Sequence, residues 1–158
     1  MTVVADTSVI LVLAKIGLLH LLRDLQGGVV IPASVVAEAL DDAYAESPEN
    51  RGIRDAIGEG WLAVERDPEP DARFAPLGRG EHAVIALALA MSASLVLIDD
   101  WDARRVAVGV GLRVSGTVAV LAIAKRDGRI SANVKLAERL REVGFRVSDD
   151  VLLAAGLD

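Results

Sequence analysis

Asp6 closes the apolar run VVA in the stretch VVADTSVI, and the doublet Asp99-Asp100 closes a second apolar run, LVLI. A charge drawn toward a core costs several kcal/mol unless a partner cation, a helix cap or a bound ion compensates it. Glu38 interrupts the apolar neighbours Val35, Val36, Ala39 and Leu40, and Glu81 opens the pattern GEHAVIALALA. A glutamate there lies near the positive end of a helix dipole, where anions are favoured. Taken singly, each acid has an ordinary explanation. Asp6 is a good helix cap, the doublet reads as a turn and a cap, Glu81 as a first-turn glutamate, and Glu38 as a solvated residue beside Asp41 and Asp42. Those explanations leave out the convergence of all four positions on one crevice. Clustered carboxylates repel each other, so they either share protons or hold cations. With no cysteine, and only His20 and His82 as imidazoles, an oxygen-rich set suits Mg²⁺ or Mn²⁺. Two such ions about 3.5–4 Å apart clamp both oxygens of an in-line phosphodiester displacement.

The elements that must position these acids alternate between strand and helix. Residues 2–5 form a short apolar strand, and 9–25 are helical in pattern with a break at Gly17. Gly27-Gly28 stops that helix and residues 29–31 form a second strand. Pro32 opens the helix PASVVAEALDDAYA, sitting where its missing N–H costs little. Ser47-Pro48 starts another helix to about Ile57, residues 61–64 read as an edge strand, and 67–78 are a polar, proline-rich loop. A strong helix covers 81–92. Strand 95–98, helix 102–109, strand 112–114 and helix 117–126 follow, then an amphipathic helix over 131–143 and a short one over 149–155. The pattern predicts an α/β fold with a mostly parallel sheet. In such sheets the functional crevice lies beyond the carboxyl ends of the strands, where Asp6 and the Asp99-Asp100 doublet fall.

The composition fits this reading. The 158 residues suffice for one domain with a core, and 53% are apolar, with few aromatics. Such a mix suits a buried parallel sheet covered by helices. The absence of cysteine excludes a disulfide framework and thiolate metal sites. No apolar run approaches the ~18 residues of a membrane span, and Met1-Thr2 leads straight into the first strand. A cytoplasmic chain with no leader and no membrane partner is the expectation.

Four ordered pieces, VVADTSVI, VVIPASVVAEAL, GRGEHAVIALALAMSASLVLIDDWDARRVA and GLRVSGTVAVLAIAKRDGRI, resemble the PIN-domain family of metal-dependent ribonucleases. More narrowly, they resemble a small prokaryotic branch related to toxins of toxin–antitoxin pairs. The pieces cover most of residues 3–130, and the tail GFRVSDDVL resembles the ending of that branch. The resemblance implies an α/β/α sandwich with a five-stranded, mostly parallel sheet. It implies that Asp6, Glu38, Glu81 and Asp100 are the catalytic acids holding Mg²⁺ or Mn²⁺, with Asp99 and Asp102 assisting. Ser8 falls at the small polar position after the first acid, and Thr117 where the family often places a hydroxyl toward the site. It further implies an RNA substrate, a small antitoxin protein as partner, and a homodimer. Two positions depart from the family pattern. Ile98 stands where a threonine is common, and His82 and Ala83 stand where many relatives carry a second acid.

The net charge of −6 argues against a polyanionic partner. Four of those charges belong to the candidate acids, and two divalent ions would neutralise them. Arg104 and Arg105, within two turns of the doublet, are the best candidates for holding phosphates. The other arginines, Arg51, Arg54, Arg126 and Arg129 among them, read as solvated charges. No aromatic stacking platform of the kind used by single-strand binders is evident. His82 reads as a helix-surface or half-buried residue rather than a general acid, and His20 as a packing residue. Two other classes stay open. One is a catalytically silent module that binds nucleic acid or protein on the same scaffold. The other is a Mg²⁺-dependent phosphoacceptor domain, which would leave Glu38 and Glu81 without a role.

Overall fold

The computed structural model describes residues 1–40, 42–131 and 133–158. Five strands form one parallel sheet in the order β3-β2-β1-β4-β5, where β1 is Val3–Ala5, β2 Val29–Pro32, β3 Leu62–Glu65, β4 Leu95–Leu97 and β5 Val114–Ser115. The chain winds outward from β1 through β2 to β3, then crosses back to β4 and on to β5. In parallel sheets wound outward in both directions, the almost always right-handed crossovers bring helices to both faces. The expected layered α/β architecture with a parallel five-stranded sheet is therefore what the chain adopts.

β1 is the centre of the sheet, and all three of its residues are buried. Its β-branched valines suit a strand covered on both faces. It pairs with β4 at Val3–Leu95, Val4–Val96 and Ala5–Leu97, and with β2 at Val4–Val30. β3 is an edge strand, as its mixed composition predicts, with Leu62 buried and the next three residues exposed.

The helices are α1 Thr7–Lys15, α2 His20–Gln26, α3 Ala33–Ala39, α4 Pro48–Glu59, α5 Arg79–Ala90, α6 Trp101–Gly109, α7 Thr117–Arg126, α8 Leu136–Glu142 and α9 Asp149–Ala154. α5 lies against β1, β2 and β4, while α1 packs on α3, α4 and α7. α5 is buried almost all round, from Ala83 to Ala88, which is why its sequence carries so little amphipathic contrast.

Several boundaries differ from the sequence reading. The region 9–25 is two helices, because Gly17 takes a positive φ of 73° that ends the first. The helix after Pro32 stops at Ala39, with Leu40 extended at φ −99° and ψ 102°. Asp41, part of that expected helix, lies outside the described residues. β5 begins at Val114 rather than Leu112, since Gly111 at φ 88° and Leu112 still belong to the end of α6. The last amphipathic segment is helical only from Leu136, and Ala132 lies outside the described residues.

Candidate active site

The sheet order reverses between β1 and β4, and the crevice beyond their carboxyl ends is the place such folds use for ligands. A cavity of 670 Å³ opens there, lined by Asp6, Glu38, Glu81, Asp99 and Asp100 among others. Asp6 and the doublet reach it directly from the ends of β1 and β4. The Asp6 N–H donates to the Leu97 carbonyl at 2.9 Å, which locks the two strand ends together.

Helix starts supply the rest of the rim. Asp6 caps α1 with its carboxylate accepting from Thr7 N at 2.7 Å. Asp100 caps α6 by accepting from Ala103 N at 2.9 Å. The ordinary cap reading of these acids is thus true, and both still line the cavity. Glu81 accepts from Gly78 N at 3.3 Å in the first turn of α5. Glu38, at the end of α3, accepts from Gly80 N at 2.9 Å and from the Thr7 hydroxyl at 2.7 Å. Asp99 accepts from Thr117 N at 2.8 Å and from the Thr117 hydroxyl at 2.6 Å, at the start of α7. The N-terminal ends of α1, α5, α6 and α7 therefore face the acids, and their dipoles favour the negative charge.

That support does not cancel the repulsion. Asp6 is only 4% exposed. Burial pushes its carboxyl up to about 7, against the lowering effect of the Thr7 N–H, and the carboxylates of Glu81, Glu38 and Asp99 push the same way. Glu81 is also raised, first by burial, then by Asp100, Glu38 and Asp102. No arginine or lysine stands among these causes, and among the described residues none of these acids is ion-paired, although Arg146 also lines the cavity.

Two glycines make the arrangement possible. A Cβ at Gly80 would lie 2.5–2.8 Å from the Glu38 carboxylate. A Cβ at Gly116 would lie 2.6 Å from Asp99 Oδ1 and 2.8 Å from Arg104 Nη1. A side chain at either position would force a neighbour to shift, at Gly80 the mobile Glu38 carboxylate and at Gly116 the Asp99 carboxylate, with the Ile98 carbonyl 3.2 Å away. GRGE and VSGT are visible in the sequence, but the neighbours that demand glycine come from remote segments.

The structure places the other candidates as follows. Ser8 lines the cavity, its hydroxyl 3.5 Å from Asp99 Oδ2, which is long for a hydrogen bond. Thr117 is fully buried and orients Asp99 rather than facing the open cavity. Asp102 is exposed and raises Glu81 from the flank, outside the cavity lining. Arg104 does not line the acid cavity. Its Nη1 donates to the Ile98 carbonyl at 2.8 Å and it faces an adjoining groove. Arg105 is exposed on α6 and lines neither space. His82 is half-buried, accepting from Asp71 N at 2.9 Å and meeting Phe74 edge-on at 5.8 Å, so it pins the 67–78 loop. His20 is exposed, not packed. Thr7, Trp101, Phe145 and Arg146 also line the acid cavity, and none of them is marked by spacing alone.

The donor set is all carboxylate oxygen, the chemistry that Mg²⁺ and Mn²⁺ prefer. Among the described residues, however, no three acids are drawn into a ready metal-ligating group. Glu38, Asp99 and Asp100 each hold protein hydrogen bonds instead. The residue types fit a divalent cation, and its arrival would have to draw them inward.

A family model described as DUF3368, PIN domain, matches residues 2–155. Among solved structures, the chain is similar to a PilT N-terminus domain protein from the hyperthermophilic archaeon Sulfolobus solfataricus P2. That match has 20% identity and a TM-score of 0.55, covering 78% of this chain and 93% of the other. It is also similar to a domain of a functionally unknown protein from Methanocaldococcus jannaschii, at 20% identity and a TM-score of 0.48, covering 73% of this chain and 89% of the other. At such identities the first likeness speaks for the fold. No curated protein matches the sequence.

Proposed function

The chain belongs to the PIN-domain family, and from that premise we propose that it is a divalent-metal-dependent endoribonuclease. The observation that carries the reading is the crowding of Asp6, Glu38, Glu81, Asp99 and Asp100 around one cavity, with none of them ion-paired among the described residues. In this reading Asp6, Glu38, Glu81 and Asp100 would hold Mg²⁺ or Mn²⁺, with Asp99 and Asp102 assisting. A bound divalent ion would supply Lewis acidity for phosphodiester hydrolysis. The chain's own residues do the rest. Thr117 and Gly116 fix Asp99, and Gly80 and Thr7 fix Glu38. The buried Asp6, raised to about 7, would have to be ionised to act as a ligand. RNA cleavage with Mn²⁺ should fall at least about 10²-fold in Asp6→Asn and in Asp100→Asn, with both variants still folded, since Asn caps a helix as Asp does. Cleavage equal to the parent's in either variant would sink the assignment.

The toxin half of an antitoxin-controlled pair is the finer form of this proposal, and it rests on the sequence resemblance alone. Expressing the chain in a growing bacterium should arrest growth, and Asp6→Asn should not. A homodimer is proposed on the same footing, and sedimentation at micromolar concentration tests it.

A second reading has its own support. The acids are individually satisfied by backbone and hydroxyl donors, and no three described residues form a metal group. That favours a silent module that binds nucleic acid or protein without cutting. RNA binding by the parent chain, with no Mn²⁺-dependent cleavage, would select it.

A further inference from the structure

The acid cavity continues into a second one. Trp101, Phe145, Arg146 and Asp99 line both, and the second space, 740 Å³, runs on between the start of α7 and α9. Trp101 directly follows Asp100 and is 71% exposed. Its counterpart Trp61 bonds Glu59 through the indole N–H at 3.2 Å, whereas the Trp101 indole has no hydrogen bond among the described residues. The exposed ring stands where the acid cavity and the second cavity meet, beside Phe145 and Arg146, so a ligand that reaches from one to the other passes over its face.

Arg146 stands beside Trp101 at the same mouth. Arg146 is exposed and makes no ion pair or hydrogen bond among the described residues, although five acids lie around the adjoining cavity. Arg104 lines the groove too, with one guanidinium nitrogen committed to Ile98. The walls beyond are mainly apolar, Val118, Val147 and Val151 among them. They offer few groups that read base edges but a suitable surface for a flat ring.

Resting on the ribonuclease reading above, we infer that this second cavity is a nucleotide subsite. The base beside the scissile phosphate stacks on Trp101, and Arg146 holds the neighbouring phosphate. Charge complementarity fixes the placement. The acids repel a phosphate from their own cavity until a cation is present, and Arg146, with no ion pair among the described residues, stands at the seam. A base reaches the indole only when unpaired and unstacked, so the substrate at this subsite is single-stranded. Recognition is then tolerant of sequence, because every base has a π-face and the groove has few donors to tell them apart.

The test uses the full chain carrying Trp61→Phe, which leaves Trp101 as its one indole, and Asp6→Asn, which suppresses cleavage. A short single-stranded RNA should quench Trp101 fluorescence saturably, and the same backbone without bases should not. Adding Trp101→Ala should weaken binding about tenfold, while Trp101→Phe should keep most of it. Arg146→Ala should lower the slope of log affinity against log salt by about 0.7. Both side chains are exposed, so these variants fold. Absence of quenching, equal quenching by the base-free backbone, or undiminished binding in Trp101→Ala overturns the subsite. So does Trp101 emission that shifts with protein concentration alone, which would place a second copy over the groove. The two proposals fail separately. Quenching without Mn²⁺-dependent cleavage by the parent leaves the subsite and removes the nuclease. Cleavage with unchanged RNA binding in Trp101→Ala does the reverse.

Discussion

Two aspartates in this molecule sit in opposite electrostatic settings. Asp71, at the surface of the 67–78 loop, has Arg73 beside it, and the guanidinium's hydrogen bonds hold its carboxyl down at about 2. Asp6 is buried at the head of α1 with Glu81, Glu38 and Asp99 for neighbours, and is pushed up to about 7. The loop acid has its countercharge built in. The crevice acid has none among the groups that shift it, and Arg146, which lines the cavity, makes no ion pair with its acids among the described residues. An acid cluster left without an ion pair is the setting the proposed function needs, since such charges are costly until a cation compensates them.

The largest effect that sharpens this contrast is on stability without metal. An acid raised from 3.8 to about 7 in the folded state favours folding while protonated. That contribution is present below about pH 4 and is lost as pH rises toward 7, by at most about 4 kcal/mol. In chelator, the parent's melting temperature should therefore fall across pH 4–7, and Asp6→Asn should flatten the slope and melt higher at pH 7. Asp71 has the opposite sign. Its folded value is lowered, so its contribution stands above about pH 4 and is lost only as pH falls toward 2.

Next in size is Gly80→Ala. The new methyl group would collide with the Glu38 carboxylate, which is the mobile end of a side chain and can swing away. Cleavage should fall about tenfold or more while the melting temperature holds or rises, because alanine favours the helix by up to about 1 kcal/mol. A large loss of stability would mean that Glu38 is structural. Thr117→Val comes third. It removes a 2.6 Å hydrogen bond from a buried hydroxyl to Asp99, and should cost about 1.5–3 kcal/mol in urea unfolding with a partial loss of activity. Asp71→Asn is the smallest. It keeps the cap on Arg73 N and loses only a surface ion pair, so cleavage should match the parent's and the melting temperature should barely move.

Much of this contrast is legible in the linear sequence on one side only. Apolar runs ending in Asp6 and Asp99-Asp100 mark both the central strands and the rim, because a buried parallel strand is a short run of Val, Leu and Ile and its carboxyl end is where polar residues return. Glu38 and Glu81 stand out as acids in apolar helices. Gly80 and Gly116 are not legible, since what forbids a Cβ there is a carboxylate supplied by a distant segment. Arg104 misleads for the same reason. Its nearness to the doublet is real, but the turn of α6 aims it at the Ile98 carbonyl and the neighbouring groove. Phe145 and Arg146 reach the cavity only because the tail folds back over α7, and no local pattern encodes that contact. The resemblance of GFRVSDDVL to a family ending marks the segment without saying where it goes.

The central claim is that the crevice acids, without an ion pair among the described residues, take a divalent cation. Calorimetric titration of Mn²⁺ into the chelator-stripped chain at pH 7, in buffers of different ionisation heat, addresses it most directly. Saturable binding that releases a fractional proton in the parent, and is lost in Asp6→Asn, is the predicted result. No binding in the parent, or the same binding and proton release in both chains, would contradict it.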